Sequence, residues 1–308
     1  MAEPSALHEA VAVWYATNAR DLPWRRTRDP YAILVSEVML QQTQVDRAIP
    51  KYHEFLSAFP TLQALAAAPT GDVIRAWSGM GYNNRAVRLQ RTAQAVVSHH
   101  GGRLPRAVPG LLSLPGIGPY TAAAVASFAF GANVPLLDTN IYRVLSRVEH
   151  GLTPPTRKAL EPLAAAWLPA PGAPLDGATW HQALMDIGAT VCTVSRPRCM
   201  LCPVRAHCAA APRLQSGDAR ALAESSVPYK AKQGRFEGST RFYRGRIVAA
   251  LGALANGGSL TLAALGPRVR DDFDAALHAE WLRGLVRALA KDGVVRLDDG
   301  AEATVSLP

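Results

Sequence analysis

The sequence predicts a mainly α protein with a small α+β module at its C-terminal end. Segments of helical length follow one another from residue 8 to residue 191, several with apolar residues recurring at three- and four-residue spacing. Strand-like runs are confined to the end of the chain, where Val294–Leu297 and Ala303–Leu307 flank Asp298-Asp-Gly300 as strand, turn, strand. The stretch Leu114-Pro-Gly-Ile-Gly-Pro-Tyr120 leads from an apolar run into an Ala-rich helix former and reads as helix, tight turn, helix. With 308 residues, 49% hydrophobic and 19% charged, the chain has ample material for a core in one large domain or two to three smaller ones. A formal net charge of +9 favours a polyanionic partner such as nucleic acid. No run of about eighteen apolar residues occurs, so no membrane span is expected. Met1–Glu9 lacks a charged start followed by an apolar core, so the chain is expected to be cytoplasmic.

His8–Arg20 reads as an amphipathic helix with Val11, Trp14 and Tyr15 on one face, broken by Leu22-Pro-Trp-Arg-Arg26. Tyr31–Gln44 is almost wholly apolar and therefore buried, yet Ser36-Glu37 interrupts it. A carboxylate there is costly unless paired or protonated, and burial raises its pKa as a general acid requires. Gln41-Gln42-Thr43-Gln44 is either a solvated face or a set of amides able to fill the hole left by an extruded base. Helices over Ala48–Phe59, Leu62–Ala68 and Asp72–Trp77 follow, then Gly79-Met-Gly81-Tyr82. Arg85–His99 should turn Val87, Leu89, Ala93, Val96 and Val97 inward and carry Arg85, Arg88 and Arg91 on its other face.

After the Gly116/Gly118 turn, Thr121–Phe130 is small and apolar, hence central, and Gly131 ends it. Glycines in such a turn let backbone N–H groups approach a phosphate at a helix start. Asp138 falls where the N-cap of the next helix belongs; a capping carboxylate is held rigidly by the N–H groups it accepts from. Arg157–Leu168 and Trp180–Val191 read as helices. All four cysteines then lie in Cys192-x6-Cys199-x2-Cys202-x5-Cys208. A disulfide framework would spread them wider, so the clustering points to metal. Zinc usually takes two C-x2-C pairs, whereas here the central pair alone has that spacing. Pro212–Thr240 is polar and aperiodic and reads as a linker carrying Arg213, Arg220, Lys230, Lys232 and Arg235. Helices over Arg246–Leu254, Leu260–Leu265 and Trp281–Lys291, with the terminal hairpin, resemble a winged-helix module.

Taken together these segments resemble the MutY family of adenine DNA glycosylases, over roughly residues 8–211. The resemblance rests on Leu22-Pro-Trp-Arg25, Pro30-Tyr31, Val35-Ser-Glu-Val-Met-Leu-Gln-Gln-Thr-Gln-Val45, Trp77–Tyr82 with Arg85-Ala86, the Leu-Pro-Gly-Ile-Gly hairpin, Asp138-x-Asn140 and the four-cysteine loop. The hairpin and loop are shared with thymine-glycol and G·T mismatch relatives of endonuclease III type. The resemblance implies a helix-hairpin-helix glycosylase fold: a six-helix domain over 23–131, an iron–sulfur domain over 1–22 and 132–211 in which Cys192, Cys199, Cys202 and Cys208 hold a [4Fe–4S] cluster, a linker over 212–240 and the winged-helix-like module over 241–308.

It further implies base-excision repair of double-stranded DNA containing a mismatch or oxidised guanine, by a monomer. Adenine opposite 8-oxoguanine or guanine would be removed by hydrolysis of its N-glycosidic bond. Glu37 would protonate adenine N7, Asp138 would stabilise the oxocarbenium-like sugar, and Tyr120 and Asn140 would position those carboxylates. Tyr82 and Gln42 would wedge into the duplex, with Gln41, Thr43, Gly116 and Gly118 along the DNA and Trp24, Arg25 and Gln182 near the adenine pocket. Bifunctional relatives carry a lysine at the place of Tyr120; tyrosine forms no Schiff base, so the implied activity is monofunctional. The chain departs from the family at Asn83-Asn84 and Thr139, and residues 241–308 are too short for the Nudix-like domain that inspects 8-oxoguanine in many members. A thymine or uracil mismatch glycosylase on the same fold is the alternative enzyme. A non-catalytic DNA-binding regulator is the alternative class, and it predicts loss of Glu37 or Asp138.

Overall fold

The computed structural model describes residues 4–216, 234–300 and 302–308. The chain divides into two compact units, the first built from Met1–Ile33, Arg106–Leu112 and Gly118–Lys232, the second from Leu34–Pro105, Ser113–Ile117 and Gln233–Pro308.

In the first unit, α1 (Pro4–Asn18) is followed by a 3-10 turn at Pro23–Arg25. Leu7 and Val11 of α1 are fully buried, and His8 closes the contact through a 3.0 Å hydrogen bond to the Trp167 carbonyl and an edge-on contact with Trp180. The chain enters α2 (Pro30–Leu40) in this unit and leaves it in the second. Next in the first unit come α7 (Val108–Leu112) and α8 (Pro119–Phe130). α8 ends at Gly131, whose φ of 70° is the left-handed conformation that closes a helix. As its composition predicts, α8 is central, with Ala122, Ala124, Val125 and Ala126 fully buried. α9 (Thr139–His150), α10 (Arg157–Ala166) and α11 (Gly177–Asp186) complete the frame. The helix expected over 180–191 ends early as an α-helix; Ile187–Val191 is a π turn. After the cysteine loop, Ala211–Gln215 forms a short helix, α12, with Leu214 buried, so the segment read as linker begins in ordered structure. Arg220, Lys230 and Lys232 lie outside the described residues.

The second unit holds the rest of α2, then α3 (Val45–Ala58), α4 (Leu62–Ala67), α5 (Thr70–Ala76) and α6 (Asn84–His99). Phe55 and Trp77 meet edge to face at 5.6 Å, and α4 packs along α6. On α6 the expected inward face holds except at Val97, which is 38% exposed, and Arg85 is buried rather than outward. The C-terminal segment adds α13 (Thr240–Gly252), β1 (Ser259–Thr261), α14 (Leu262–Val269), α15 (Ala275–Lys291), β2 (Arg296–Asp298) and β3 (Thr304–Ser306). The sheet is antiparallel in the order β1-β3-β2, with Leu260 and Leu297 both opposite Val305. The first strand stands where the sequence suggested only helix. Ile247, Leu251, Leu265, Leu282, Val286 and Val305 share one buried cluster with Ile74 of α5 and Val87 of α6. The Gly71 N–H also donates to the Pro308 carbonyl at 2.8 Å. A Cβ on Gly71 would meet that oxygen at 2.9 Å, so glycine is required there for the close approach.

Candidate functional site

The first unit gathers its chemistry along α9. Asp138 is the N-cap of that helix: it accepts from the Ile141 N–H at 2.6 Å and from Asn140 Nδ2 at 2.9 Å. Enclosure by protein pushes the Asp138 carboxyl above the ordinary carboxylate range, and the bonds from Ile141 and Asn140 pull part of that shift back. Asn140 in turn accepts from Arg143 Nη2 at 2.9 Å. The same guanidinium donates to the Gly188 carbonyl at 2.7 Å and, through Nε, to the Cys192 carbonyl at 2.7 Å. Asp138 is thus linked by two side chains to the first cysteine of the loop.

The other end of α9 carries the loop. Arg147 donates to Cys192 Sγ at 3.4 Å and to the carbonyls of Thr193 and Val194, while the N–H groups of Ala209 and Ala210 close back on the carbonyls of Val148 and Arg147. Cys192, Cys199, Cys202 and Cys208 line one pocket, with Arg147 and Arg205 in its wall. Burial pushes the Cys202 thiol up to about 12 and that of Cys208 to about 11, with the neighbouring sulfurs adding to the shift. Among the described residues no three His, Cys, Asp or Glu side chains converge as a single metal ion requires.

Trp24 is buried, and Arg25 is held bidentately by Asp186, Nη1 to Oδ2 at 2.7 Å and Nη2 to Oδ1 at 2.8 Å. Arg20 adds a further bond of 2.5 Å to the same carboxylate. Burial raises the Asp186 carboxyl, but Arg25 and Arg20 outweigh it and hold the pKa below the ordinary value. Gln182 accepts from the Tyr15 hydroxyl at 3.2 Å. The structure therefore gathers Trp24, Arg25 and Gln182 in one unit, with Asp186 as the unforeseen centre of the cluster.

In the second unit, Glu37 is buried, 7% exposed, on the apolar stretch of α2. The helix stops at Leu40, short of the expected Gln44, and Gln41 and Gln42 are exposed. Gln42 (φ 58°) and Tyr82 (φ 48°) are the two non-glycine residues in the left-handed region among the described residues. Buried Arg85 joins their loops. Its Nη1 donates to the carbonyls of Val38, Met39 and Gln41, and its Nη2 to Thr43 Oγ1 and the carbonyls of Met80 and Gly81. Desolvation lowers its pKa to about 10. Arg85 was legible as part of a motif, but its clamping role was not.

The hairpin turn gives its two glycines different needs. Gly116 has φ 85°, and a Cβ there would sit 3.1 Å from Arg88 Cβ. Gly118, the N-cap of α8, has ordinary backbone angles and nothing within 4 Å of an added Cβ. Its lack of a side chain answers to no internal contact and leaves the helix start open. Tyr120 is half-buried at the second position of α8. Of the two proposed carboxylates, Asp138 belongs to the first unit and Glu37 to the second.

A family model described as HhH-GPD superfamily base excision DNA repair protein matches residues 35–170, a span that contains Glu37, Tyr120, Asp138 and Asn140. The chain belongs to that superfamily. It is 47% identical over 198 residues to an adenine DNA glycosylase of Mycolicibacterium smegmatis, covering 63% of this chain and 66% of the relative. It is 43% identical over 227 residues to the adenine DNA glycosylase of Homo sapiens, covering 70% and 41%. Both relatives are adenine DNA glycosylases, the class the MutY resemblance implies. The match spans less than two thirds of each of those relatives. Among solved structures, a thermostable thymine-DNA glycosylase is similar with a TM-score of 0.63 and 30% identity, over 68% of this chain and 97% of the other. An endonuclease III–DNA complex shares the fold with a TM-score of 0.59 and 20% identity, over 70% and 100%.

Proposed function

We infer that this chain removes adenine mispaired with 8-oxoguanine or guanine in double-stranded DNA, by hydrolysis and without strand cleavage. The observation that carries the reading is Asp138, a carboxylate immobilised by an N-cap bond and by Asn140 within the matched region. Protonation of adenine N7 by Glu37 weakens the bond from N9 to C1′, whose electron pair leaves with the base. Positive charge then develops on the sugar, and a fixed carboxylate stabilises it without having to reorganise. Water adds to C1′ and returns a proton to Glu37. Tyr120 has no amine and cannot capture the sugar as a Schiff base. The exposed amides Gln41 and Gln42, the strained Tyr82 and the open turn at Gly118 form the DNA-facing set, and the protein acts as a monomer.

The four cysteines line one pocket, and four thiolates are the donor set an iron–sulfur cluster takes. A bound [4Fe–4S] cluster supplies a rigid cross-link of residues 192–208. Arg147 and Arg143 carry the order of that loop along α9 toward Asn140 and Asp138.

Single-turnover base release tests this, from duplexes holding adenine opposite 8-oxoguanine, guanine or cytosine, and thymine opposite guanine. Adenine is expected to leave from the first two. Glu37→Gln and Asp138→Asn should each slow it by about 100-fold or more. Asp138 must be ionised, and its pKa is raised, so the rate should fall on acidification at a pH above the ordinary carboxylate value of 3.8. Release of thymine but not adenine would replace this reading with the thymine-specific one. Binding without release of any base would leave a DNA-binding protein.

A further inference from the structure

Residues 131–138 join α8 to α9 with neither helix nor strand geometry, so other elements must set the path of the chain into Asp138. His181 of α11 takes the Leu136 N–H on Nε2 at 3.2 Å, and both residues are buried. Nearer the carboxylate, the Leu137 carbonyl accepts from Nη1 of Arg157 on α10. The Arg157 guanidinium carbon lies 5.6 Å from the ring centroid of Tyr142, a buried residue of α9. The Tyr142 hydroxyl donates to the Pro155 carbonyl, close before Arg157 in the chain. One aromatic therefore seats the cation and ties the start of α10 to α9. Arg157 is the first residue of α10, after the Thr156 N-cap. A cation there opposes the helix dipole, so this placement does not serve its own helix.

The Leu137 carbonyl and the Asp138 N–H belong to one planar peptide. A donor on that carbonyl therefore fixes the plane from which Asp138 springs, while His181 anchors the chain just upstream. Asp138 is extended (φ −80°, ψ −178°), and in that conformation its carboxylate meets the Ile141 N–H at 2.6 Å. Tilting the plane behind it would swing the carboxylate off that bond. We propose that Arg157 is a positioning residue for Asp138: by gripping the Leu137 carbonyl it sets where the carboxylate stands against the charge that develops on the sugar. This rests on the glycosylase reading above and deepens it. Arg157 acts through the backbone of its neighbour in space and takes no part in the bond changes.

The test compares wild type, Arg157→Ala and Arg157→Lys; Arg157 is exposed, so its replacement leaves the core intact. Three quantities are measured: single-turnover adenine release at saturating protein from a duplex with adenine opposite 8-oxoguanine, affinity over a range of salt for the same duplex with a non-hydrolysable adenosine analogue, and hydrogen exchange at the Ile141 amide. Arg157→Ala should slow release about 10-fold with affinity and urea midpoint unchanged. It should also speed Ile141 exchange about 10-fold, because that amide donates to the Asp138 carboxylate. Arg157→Lys keeps a donor for the carbonyl and should recover most of both. Unchanged release or unchanged Ile141 exchange in Arg157→Ala would overturn the proposal. Weaker binding with a salt slope reduced by about one, and full release at saturation, would make Arg157 a phosphate contact and overturn it too. A wild type that releases no adenine defeats the glycosylase reading, and the Ile141 exchange then still decides whether Arg157 holds Asp138.

Discussion

Arg25 in the first unit and Arg85 in the second are both sunk into the protein, but Arg25 faces the carboxylate of Asp186 and Arg85 faces carbonyl oxygens and a threonine hydroxyl. The carboxylate pair cancels charge and ties two segments 161 residues apart. The carbonyl clamp keeps its charge and spends its donors on two loop backbones, those around Gln41 and Met80. Carboxylate pairing fixes elements; carbonyl clamping fixes the path of loops that have no helix or strand to hold them. The loops so held are the ones that carry Gln42 and Tyr82 in strained conformations.

The largest way to break this comparison is Arg85→Met. Several buried carbonyls lose their donor at once, so stability should drop by about 4 kcal/mol in urea unfolding. The loss should be nearly the same at pH 7 and pH 5, because none of the groups left behind titrates. Arg25→Met should cost about 3 kcal/mol at pH 7, since Asp186 is left charged and buried with Arg20 alone. Here pH matters. The lowered pKa of Asp186 gives stability that is present above the ordinary 3.8 and lost as pH falls through the folded value. The gap between wild type and Arg25→Met should therefore close below about pH 4. A pH-independent gap would show that the pair acts by packing rather than charge.

The smallest expected effect concerns a buried base with no counter-charge. His181 accepts the Leu136 N–H at 3.2 Å on Nε2, and burial lowers its pKa from 6.5 to about 4. Its contribution is present above 6.5 and lost as pH falls toward 4, amounting to about 2 kcal/mol between pH 7.5 and 5. His181→Gln, which keeps an acceptor for Leu136, should flatten that slope. An unchanged slope would move the acid sensitivity elsewhere.

What the sequence revealed divides along the same line. Asp138 could be read because an N-cap is local: its acceptor and the donor it meets are three residues apart. Glu37 could be read because a carboxylate inside an apolar run is conspicuous. The cysteine spacing, the hairpin and the helical frame were equally legible. Asp186 was not, since it looks like any polar residue on a helix until Arg25 arrives from the other end of the chain. Arg85 was misread as an outward charge beside Arg88 and Arg91. Residues six apart on a helix differ by about 120°, so Arg85 sits at the edge of the polar stripe. There a ring of carbonyls can replace water. The strand Ser259–Thr261 escaped because three residues carry no periodicity, and its partner Ser306 lies at the far end of the module.

The π turn at Ile187–Val191 closes on a 2.6 Å bond from the Cys192 N–H to the Ile187 carbonyl. It also lets Gly188 lie against Asn140, where a Cβ would approach to 2.5 Å. One extra residue per turn advances the chain by about 100° and 1.5 Å relative to an uninterrupted α-helix. The turn is therefore a phase adjuster. It allows one helix to end with Asp186 toward Arg25, Gly188 toward Asn140 and Cys192 toward the pocket. Excising the exposed Ala189 would return the helix to its regular pitch and rotate the first thiol out of step with the other three.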